Sequence, residues 1–478
     1  MAQIVIFTGF VYPNFANFVG VPFLNKTLGP YRIASALLKV GYTVKVIDNL
    51  QVLSAKECMR VIDNHISKET LWIGYSSTFM VGKENDDKLL EVYEFIKKKT
   101  NAKIVYGGGG VDENDFDSKV DYYVSGYSDN SIIALTDYIA GKTNTIISKK
   151  VNGSTLIEAS DYPEPKMSNL KTDWSKFDIL PNEPLPLEFA RGCIFKCKFC
   201  NYPLIGKRKG TYIRDMEEIR DELIETWESK GVDTFYVTDD TFNDDNDKME
   251  SFHKLFTSLP FKPKFAAFLR LDLIDRFPHQ ADLLSEAGIV GAFFGIETLN
   301  LKSGRVIGKG LHPDRVKKRL SWVKDKWKNK TNISAGLIIG LPYDDDAYFK
   351  ELENYVKSPD YPIDNTSFNP LWIRDPKNNT RYMSEFSINS EVYGYKFDER
   401  GQWYNENGMT RAIAEKVSEH LSKIVPNKSE NFQVITLLGL GIKLDDILKL
   451  SYNQLYHKYD LSSLNQKRIN EYKSLLGI

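Results

Sequence analysis

The sequence predicts an α/β protein with an N-terminal Rossmann-like or flavodoxin-like parallel sheet, a central partial (β/α)6 barrel of the TIM type and a small, mostly helical C-terminal domain. Short β-branched and aromatic runs alternate with amphipathic segments in two series, which is typical of parallel sheets covered by helices. A proline-rich segment separates the two series, and helical periodicity dominates after residue 375. The predicted domains are therefore 1–145, a linker at 146–185, 186–375 and 376–478.

Composition and charge exclude several classes of protein. Lys and Arg (63) nearly balance Asp and Glu (64), so nothing global favours nucleic acid or an acidic membrane surface as a partner. The longest uncharged apolar stretches, such as 287–296 and 434–442, are too short to cross a bilayer. Three of the four cysteines cluster, which leaves Cys58 without a disulfide partner. We therefore expect a cytoplasmic protein in a reducing compartment.

The first series predicts five strands joined by helices. Pro30 opens the first helix, Ile33, Leu37 and Val40 form its core-facing stripe, and Gly41 ends it. Residues 84–99 supply the crossover after the third strand. The strands are expected at Ile4–Thr8, Thr43–Ile47, Leu71–Ser76, Lys103–Tyr106 and Asp121–Ser125.

Ligands of such sheets bind outside the carboxyl ends of the strands, so the loops after these strands are candidate binding loops. Ser76, Ser77 and Thr78 follow the third strand, and the glycines of 107–110, with Gly108 and Gly109 at their centre, follow the fourth. Gly126 follows the fifth strand. Glycines let a flat or bulky ligand approach the backbone, although they also serve in plain turns. No Gly-x-Gly-x-x-Gly opens a helix, so a dinucleotide is not favoured.

The linker contains five prolines between residues 163 and 186 and is expected to have little regular structure. Its apolar residues, such as Trp174 and Phe177, predict that it packs along domain surfaces. The second series predicts helices with apolar stripes at 216–227 and 316–327 and further helices at 409–424, 437–452 and 461–476. Its six strands are expected at Leu187–Ala190, Thr234–Thr238, Lys264–Leu269, Gly291–Ile296, Ile333–Ile339 and Thr366–Trp372.

Three cysteines, Cys193, Cys197 and Cys200, follow the first strand of this barrel with the spacing Cys-x3-Cys-x2-Cys. Structural zinc sites normally close with four protein ligands, whereas three ligands leave one metal position open. Iron–sulfur clusters are usually held by four thiolates, and no fourth cysteine is close in sequence. The spacing favours a cubane cluster with one open iron. A zinc knuckle completed by a distant residue, or cysteines buried as small apolar side chains, remain alternatives.

Polar residues follow the other barrel strands. Asp239 and Asp240 follow the second strand, Arg270 the third, and Glu297 the fourth, while Gly340-Leu341-Pro342 follows the fifth. Either aspartate alone could cap the following helix, and Arg270 could pair with Asp272 on the surface. Because strand ends meet on one rim, we expect these groups to grip the polar atoms of a ligand beside the cysteines.

These motifs resemble those of the radical S-adenosylmethionine (SAM) enzymes. The resemblance rests on Arg-Gly-Cys-x3-Cys-x2-Cys, Phe199 before the third cysteine, Asp-Asp-x-Phe after the second strand, Gly-Ile-Glu after the fourth and Gly-Leu-Pro after the fifth. The preceding domain, with Gly-Pro-Tyr-Arg-Ile-Ala-Ser at 29–35, Gly-Tyr-Ser-Ser-Thr-Phe at 74–79 and the glycine loop, is similar to that of the subgroup with a cobalamin-binding domain.

The resemblance implies cofactors and roles for particular residues. Cys193, Cys197 and Cys200 would ligate a [4Fe–4S] cluster whose fourth iron binds SAM, and one-electron cleavage of SAM would yield a 5′-deoxyadenosyl radical. The implied SAM contacts are Phe199, Asp239, Asp240, Arg270, Glu297 and Ile338. The implied contacts of a cobalamin are Ser76, Ser77, Thr78, Gly108, Gly109 and Gly126. An electron donor such as flavodoxin or ferredoxin is the implied partner, and no catalytic side chain is assigned.

One departure from the resemblance leaves the function open. Cobalt-ligating domains use Asp-x-His-x-x-Gly, and the first 150 residues contain only His65, which is expected on a helix far from the strand ends. The first hypothesis is cobalamin-dependent methyl transfer to an unactivated carbon. The second is a cobalamin-independent rearrangement or oxidation, with the N-terminal domain as a substrate or partner module. The third is a zinc-binding protein without catalysis.

Overall fold

A computed structural model describes residues 1–9, 23–76, 78, 83–109, 119–151, 153–377, 383–425, 428–429 and 431–478, with the backbone alone at 83–87 and 431. The chain divides into two compact units. Unit 1 comprises residues 1–186, 217–232 and 459–478, and unit 2 comprises 187–216 and 233–458. No helix within the described ranges is long and apolar enough to cross a membrane.

The N-terminal series of strands and helices is described first. Its elements are β1 (Ile4–Phe7), α1 (Leu28–Lys39), β2 (Val44–Ile47), α2 (Ala55–Asp63), β3 (Trp72–Ser76), α3 (Lys83–Lys99), β4 (Lys103–Gly108), β5 (Tyr122–Ser125), α4 (Ser131–Ile139), β6 (Lys149–Val151) and β7 (Ser154–Glu158).

The sheet of unit 1 has the order β2-β1-β3-β4-β5-β7-β6. All its neighbours pair in parallel except β6 and β7, and Ile4 pairs with Val44 on one side and Trp72 on the other. The order 2-1-3-4-5 is the flavodoxin-like one, in which the strand order reverses beside β1. The prediction of a flavodoxin-like N-terminal sheet is confirmed.

Two details of the N-terminal prediction are wrong. Residues 149–158, expected to be part of a linker with little regular structure, add β6 and β7 to the sheet. Helix α1 begins before Pro30, and it buries Tyr31, Ala34 and Leu37. Of the predicted stripe, Leu37 is therefore buried, whereas Ile33 is half-buried. Val40 lies just beyond the helix and is exposed.

The second series and the C-terminal segment follow. The barrel elements are β8 (Leu185–Leu187), α5 (Met216–Lys230), β9 (Thr234–Val237), α6 (Asn246–Thr257), β10 (Lys264–Leu269), α7 (Leu271–Arg276), α8 (Gln280–Glu286), β11 (Ile289–Glu297), α9 (Leu301–Ile307), α10 (Pro313–Lys326), β12 (Asn332–Ile339), α11 (Asp346–Val356) and β13 (Asn365–Pro370). The C-terminal elements are α12 (Glu385–Ile388), β14 (Tyr395–Phe397), β15 (Trp403–Asn405), α13 (Arg411–Ile424), α14 (Asn431–Gly439), α15 (Leu444–Lys449), α16 (Tyr452–Tyr459) and α17 (Leu461–Leu475).

The sheet of unit 2 contains strands β8 to β13 in sequential order, as a partial barrel requires. Its outer face packs on helices, where Phe265 contacts Phe252 and Phe256 of α6. Phe268 points to the opposite face, because side chains alternate along a strand, and it contacts Phe432 of α14 at 4.9 Å. Helix α14 therefore covers the inner face of the sheet. The predicted fold class is confirmed, with one change: three short helices, α14 to α16, replace the single helix expected at 437–452.

Candidate functional site

The cysteine loop is held by backbone hydrogen bonds to the segment that follows it. Cys193 N–H donates to the Leu204 carbonyl and Lys207 N–H donates to the Cys193 carbonyl, both at 3.0 Å. Cys200 N–H closes a turn on the Cys197 carbonyl, also at 3.0 Å. All three thiols are free of disulfides; Cys193 is buried, while Cys197 and Cys200 are half-buried. The fold therefore presents three cysteines on one short, braced loop.

The three thiols suit a cluster better than a single metal ion. Burial raises the pKa of Cys193, and it raises the pKa of Cys200 to about 11. Each of these two thiols also lies near enough to Cys197 for its charge to raise their pKa. Among the described residues, no three His, Cys, Asp or Glu side chains are arranged to hold one metal ion. Iron–sulfur clusters are held by cysteine thiolates, so the chemistry of these three donors fits irons of such a cluster.

Arg270 lies against the cysteine loop. One guanidinium nitrogen is 3.5 Å from Cys197 Sγ, and the plane stacks on the Phe195 ring at 3.7 Å. Its other two nitrogens donate to Asp272 at 3.0 and 2.7 Å. The Arg270–Asp272 pair considered from sequence is therefore present, but the arginine is buried rather than on the surface. The guanidinium thus carries a positive charge directly beside the Cys197 sulfur.

The structure separates the two aspartates. Asp239 is buried, accepts the N–H groups of Phe189 and Ala190 at 2.8 and 3.1 Å, and faces Lys248 at 3.5 Å. Burial raises the pKa of Asp239 to about 7, and Lys248 offsets part of that rise. These contacts hold the strand end that leads into the cysteine loop, which is a structural role.

Asp240 has a different environment. Asp240 is exposed to solvent. The surrounding protein nevertheless limits the hydration of its carboxylate and raises its pKa to about 6, while a hydrogen bond from Tyr202 lowers the pKa in part. It lies near enough to Cys200 for its charge to raise the pKa of that thiol. Of the two aspartates, Asp240 is the one available to a bound ammonium group.

Glu297 ends β11 in a strained conformation. Its φ angle is 67°, in the left-handed region that a non-glycine residue rarely adopts. A β-bulge between Gly295 and Glu297 turns its side chain back, and a Cβ on Gly295 would approach Glu297 Oε1 to 2.5 Å. Burial raises the pKa of Glu297, while Lys309, at 3.7 Å, offsets this. Backbone strain of this kind is often retained at ligand sites.

The Gly-Leu-Pro turn is packed by the C-terminal segment. Asp344 accepts the N–H groups of Gly340 and Leu341, both at 3.0 Å, and burial raises the pKa of Asp344 to about 7. Tyr395 Oη donates to the Gly340 carbonyl at 2.7 Å. Gly340 has a φ of 97°, and a Cβ there would lie 2.5 Å from Trp403. The turn is thus fixed from both sides.

Phe199 and Ile338, the remaining predicted SAM contacts, are both half-buried. Phe199 lies in the cysteine loop, and Ile338 is the penultimate residue of β12, where it pairs with Asn369. Neither has a polar contact in its side chain, so each is suited to an apolar part of a ligand such as an adenine ring. The structure brings Cys197 and Arg270 into contact. It places Asp240 after β9 and Glu297 at the end of β11, with β10 between these two strands.

The predicted cobalamin loops lie in unit 1. Ser76 is half-buried at the end of β3, and the Gly109 N–H donates to Thr78 Oγ1 at 3.3 Å. A Cβ on Gly109 would meet nothing within 4 Å, whereas Gly126 (φ 89°) approaches Ala159 closely. Among the described residues, none would therefore obstruct the approach of a ligand to the backbone of Gly109. Ser77 lies outside the described residues.

His65 lies at the other end of the sheet of unit 1. Its carbonyl accepts the Ala2 N–H, ahead of β1, which is the amino-terminal side of a parallel sheet. It is half-buried in the turn after α2 rather than on the helix itself, and burial lowers its pKa. In the part of the first domain that the structure describes, no histidine lies at the carboxyl ends of the strands.

Three residues that support the site were not assigned from sequence. Asn243 hydrogen-bonds the backbone of Arg270, Lys309 faces Glu297, and Asp344 caps the Gly-Leu-Pro turn. Asn243 belongs to the Asp-Asp-x-Phe-Asn run, and Asp344 follows the Gly-Leu-Pro turn by two residues. Both residues lie directly beside motifs that were recognised in the sequence, and this closeness was the signal that could have identified them. Lys309 gave none, because a helix separates it from Glu297.

Comparison with known proteins identifies the barrel. Residues 187–356 match the family model of the radical SAM superfamily. The prediction of a radical SAM enzyme is thereby confirmed, as are a [4Fe–4S] cluster and SAM as its family's cofactors. A cytidylyl-2-hydroxyethylphosphonate methyltransferase from Streptomyces wedmorensis is 25% identical over 157 residues, which are 32% of this chain. The match spans only 28% of that relative's length.

Two solved structures share the fold over most of the chain. One is the radical SAM methyltransferase TsrM from Kitasatospora setae with cobalamin and a [4Fe–4S] cluster bound; it has a TM-score of 0.65 and 16% identity, and the match covers 98% of this chain and 100% of that chain. The other is the cobalamin-dependent radical enzyme OxsB with aqua-cobalamin and SAM bound. It has a TM-score of 0.57 and 16% identity, and the match covers 82% of this chain and 56% of that chain. At these identities the likeness establishes the fold.

Proposed function

We propose that this radical SAM enzyme binds cobalamin in unit 1 and transfers a methyl group to an unactivated carbon of its substrate. The observation that carries the proposal is the fold match along 98% of the chain to a methyltransferase with cobalamin and a cluster bound. The match includes the N-terminal sheet as well as the barrel, and that sheet has no other assigned role. We further propose that the enzyme works in the reducing, cytoplasmic compartment that its four free thiols favour.

The residues of unit 2 would hold the cluster and SAM. Cys193, Cys197 and Cys200 would bind three irons, with Arg270 in contact with the Cys197 sulfur. Asp240 would accept the ammonium of SAM, since it is the open carboxylate beside the loop. Glu297 would accept ribose hydroxyls with its orientation fixed by the bulge at Gly295. Phe199 and Ile338 would line the adenine.

The residues of unit 1 would hold cobalamin. Ser76 and Thr78 offer hydroxyls at and after the end of β3, and Gly109 leaves backbone uncovered after β4 within the described residues. Gly108 and Gly126 would complete the glycines at the ends of β4 and β5. When bound, these cofactors supply one-electron cleavage of SAM and methyl transfer. The role of the protein chain is to bind and orient each cofactor and to exclude water. Since His65 lies at the other end of the sheet, cobalt would bind without a histidine from the described part of this domain.

Anaerobic reconstitution with iron, sulfide and hydroxocobalamin tests the proposal. We expect about four irons per chain and cobalt that stays bound through gel filtration. The Gly109→Trp variant should retain no cobalt, because its side chain would occupy the open space beside this backbone. Incubation with SAM and a reductant should then give both S-adenosylhomocysteine, from methyl transfer, and 5′-deoxyadenosine, from radical cleavage.

Three results would contradict it. An iron-loaded protein that retains no cobalt and forms only 5′-deoxyadenosine would support the cobalamin-independent rearrangement or oxidation. A colourless protein that retains zinc would support the third hypothesis, a zinc-binding protein without catalysis. A Cys197→Ala variant with an unchanged cluster spectrum would remove the cysteine assignment, and Cys58→Ala is its matched control because Cys58 is buried in the core of unit 1.

A further inference from the structure

We infer that the rim of unit 2 beyond β12 and β13 carries a substrate subsite for a flat aromatic ring that bears a carboxylate or a phosphate. Such a subsite rests on the proposed function and would define the chemical class of its methyl acceptor. Two exposed aromatic side chains, Tyr343 and Trp372, form it, and each has a cation over its ring.

The two rings follow the carboxyl ends of neighbouring strands. Tyr343 comes four residues after β12 and is 50% exposed, and Trp372 comes two residues after β13 and is 52% exposed. Exposed rings leave apolar surface in contact with water, and a stacked ligand ring would cover that surface. Because barrels of this kind bind their ligands at the carboxyl ends of the strands, both rings lie at the end of the sheet where a substrate is expected.

Tyr343 has a strained backbone conformation. Its φ angle is 69°, in the left-handed region, which costs a non-glycine residue about 1 kcal/mol or more. Asn300 Nδ2 donates to the Tyr343 carbonyl at 2.8 Å, and Asn300 lies three residues after Glu297, which is strained in the same way. Since half of the ring is exposed, packing does not explain why a tyrosine occupies a position that suits glycine. Ligand binding by the ring does explain it.

One buried tryptophan supports the chain on which both rings are carried. Trp403 Nε1 donates to the carbonyl of Leu371, directly before Trp372, at 2.7 Å. The same indole packs against Gly340, where a Cβ would lie 2.5 Å from it, and Gly340 opens the turn that leads to Tyr343. Strands β12 and β13 also pair in parallel along their length. The two rings are therefore presented from one braced region of the rim.

The cations beside the rings are not neutralised by the protein. The Arg374 guanidinium is 4.5 Å from the Trp372 ring centroid, and Lys302 Nζ is 6.0 Å from the Tyr343 centroid. In the part of the chain that the structure describes, neither cation has a carboxylate within ion-pair distance. A guanidinium matches the geometry of a carboxylate or a phosphate. Rings and cations together therefore favour a ligand that has both a flat ring and an acidic group.

The short helix α12 connects this region to the cysteine loop. Arg374 N–H donates to Ser387 Oγ at 3.0 Å. Phe386, the neighbour of Ser387 in α12, donates its N–H to the carbonyl of Lys198 at 3.0 Å, and Lys198 directly follows Cys197. A ligand bound by Arg374 would thus be held on the side of unit 2 that carries the cysteines.

Calorimetry on the reconstituted full-length protein, with its SAM site saturated, tests the subsite. 1-Naphthoate represents aryl carboxylates and cytidine 5′-monophosphate represents nucleoside phosphates, with 1-naphthalenemethanol and cytidine as their uncharged counterparts. We expect at least one acid to bind more tightly than its counterpart. Trp372→Ala should weaken the binding of that acid about tenfold, through loss of a stacking contact. Tyr404→Ala, which removes another exposed ring of unit 2, is the control and should match the wild type.

Three further variants separate the ring, the charge and the backbone. Arg374→Gln should weaken the acid about tenfold and leave the affinity for the uncharged counterpart unchanged. Tyr343→Ala removes the ring and keeps the strain, whereas Tyr343→Gly removes both. Both Tyr343 variants should weaken the acid about equally and keep the cluster and the cobalt, because the binding depends on the ring.

Binding of neither acid, or equal losses in Trp372→Ala and Tyr404→Ala, would overturn the subsite. Unchanged affinity of the acid for Arg374→Gln would overturn the requirement for an acidic group. Binding of 1-naphthoate alone would assign the subsite to aryl carboxylates, and binding of cytidine 5′-monophosphate alone would assign it to nucleotides. A protein that retains no cobalt but binds either acid through these residues would contradict the proposed methyl transfer and leave the subsite intact.

Discussion

Asn243 Oδ1 accepts the backbone N–H of Arg270 at 2.8 Å, and Asn243 Nδ2 donates to the Arg270 carbonyl at 3.0 Å. Both polar backbone groups of the arginine are thus satisfied by one buried amide. Asn243→Ala should leave them unpaired and lower the free energy of unfolding by about 2 kcal/mol. It should also weaken SAM binding, because Arg270 loses its fixed position against Cys197.

Chemical denaturation and equilibrium dialysis of SAM measure the two effects of Asn243→Ala. Asn246→Ala, a half-buried asparagine three residues away, is the control and should change neither quantity greatly. A stable Asn243→Ala protein with wild-type SAM affinity would show that Arg270 does not depend on this contact.

The aspartates at the end of β9 should separate stability from binding. Asp240→Asn should lower SAM affinity about tenfold, the cost of losing one charge-assisted hydrogen bond, with little change in melting temperature. Asp239→Asn should lower the melting temperature, because it weakens the contact with Lys248, which is fully buried. Calorimetry with SAM and thermal denaturation distinguish the two; the reverse pattern would exchange the roles.

Gly340→Ala should destabilise unit 2 by about 3 kcal/mol, since a side chain at a φ of 97° is strained and its Cβ would collide with Trp403. Gly408→Ala is the matched control: its φ is 81° but a Cβ there would meet nothing within 4 Å, so only the backbone strain of about 1 kcal/mol remains. Denaturant titration of both variants isolates the collision. Equal losses would mean that Trp403 moves aside at no cost.

The buried pair of Lys26 and Asp48, 2.7 Å apart in unit 1, should make stability depend on acid pH. Burial alone would raise the pKa of Asp48, but Lys26 and the Tyr31 hydroxyl outweigh it and hold the pKa below its usual value. The folded pKa is lower than the unfolded one, so the stabilisation is present above about pH 4 and is lost as the pH falls further.

Asp48→Asn should therefore cost about 3 kcal/mol at neutral pH, and the difference from wild type should shrink as the pH falls below about 4. Asp63→Asn removes the half-exposed partner of Lys99 and should cost less than about 1 kcal/mol at any pH. Denaturant unfolding at several pH values measures both. A difference for Asp48→Asn that is constant with pH would contradict the lowered pKa.

The fold class was predictable because strand and helix periods alternate clearly along the chain. The choice between a Rossmann-like and a flavodoxin-like order of the N-terminal strands was not, since the return of β3 to the side of β1 is set by tertiary packing. β6 and β7 were missed because prolines follow them closely, and prolines predict irregular structure. Helix α14 was not recognised as the cover of the inner barrel face, because its apolar run has no periodicity that distinguishes buried sides.

The sequence predicted which residues lie at the candidate site, but it did not predict which groups their side chains contact. Asp239 and Asp240 are adjacent and chemically identical, and only the position of the Phe189 and Ala190 N–H groups separates them. Arg270 was expected to meet a ligand carboxylate, yet Asp272 already occupies two of its nitrogens. Contacts of this kind depend on side-chain directions that a linear pattern does not encode.

Residues 459–478 belong to unit 1, and within them Tyr472 donates to the Asp48 carbonyl at 2.5 Å. Domains usually fold in order as the ribosome releases them. Here the N-terminal sheet cannot complete its core until residues more than 400 positions later have been synthesised. Until then the residues of unit 1 that pack against Tyr472 and Leu476 remain exposed. A ribosome stalled after the barrel would therefore present an incompletely folded unit 1 to chaperones and proteases.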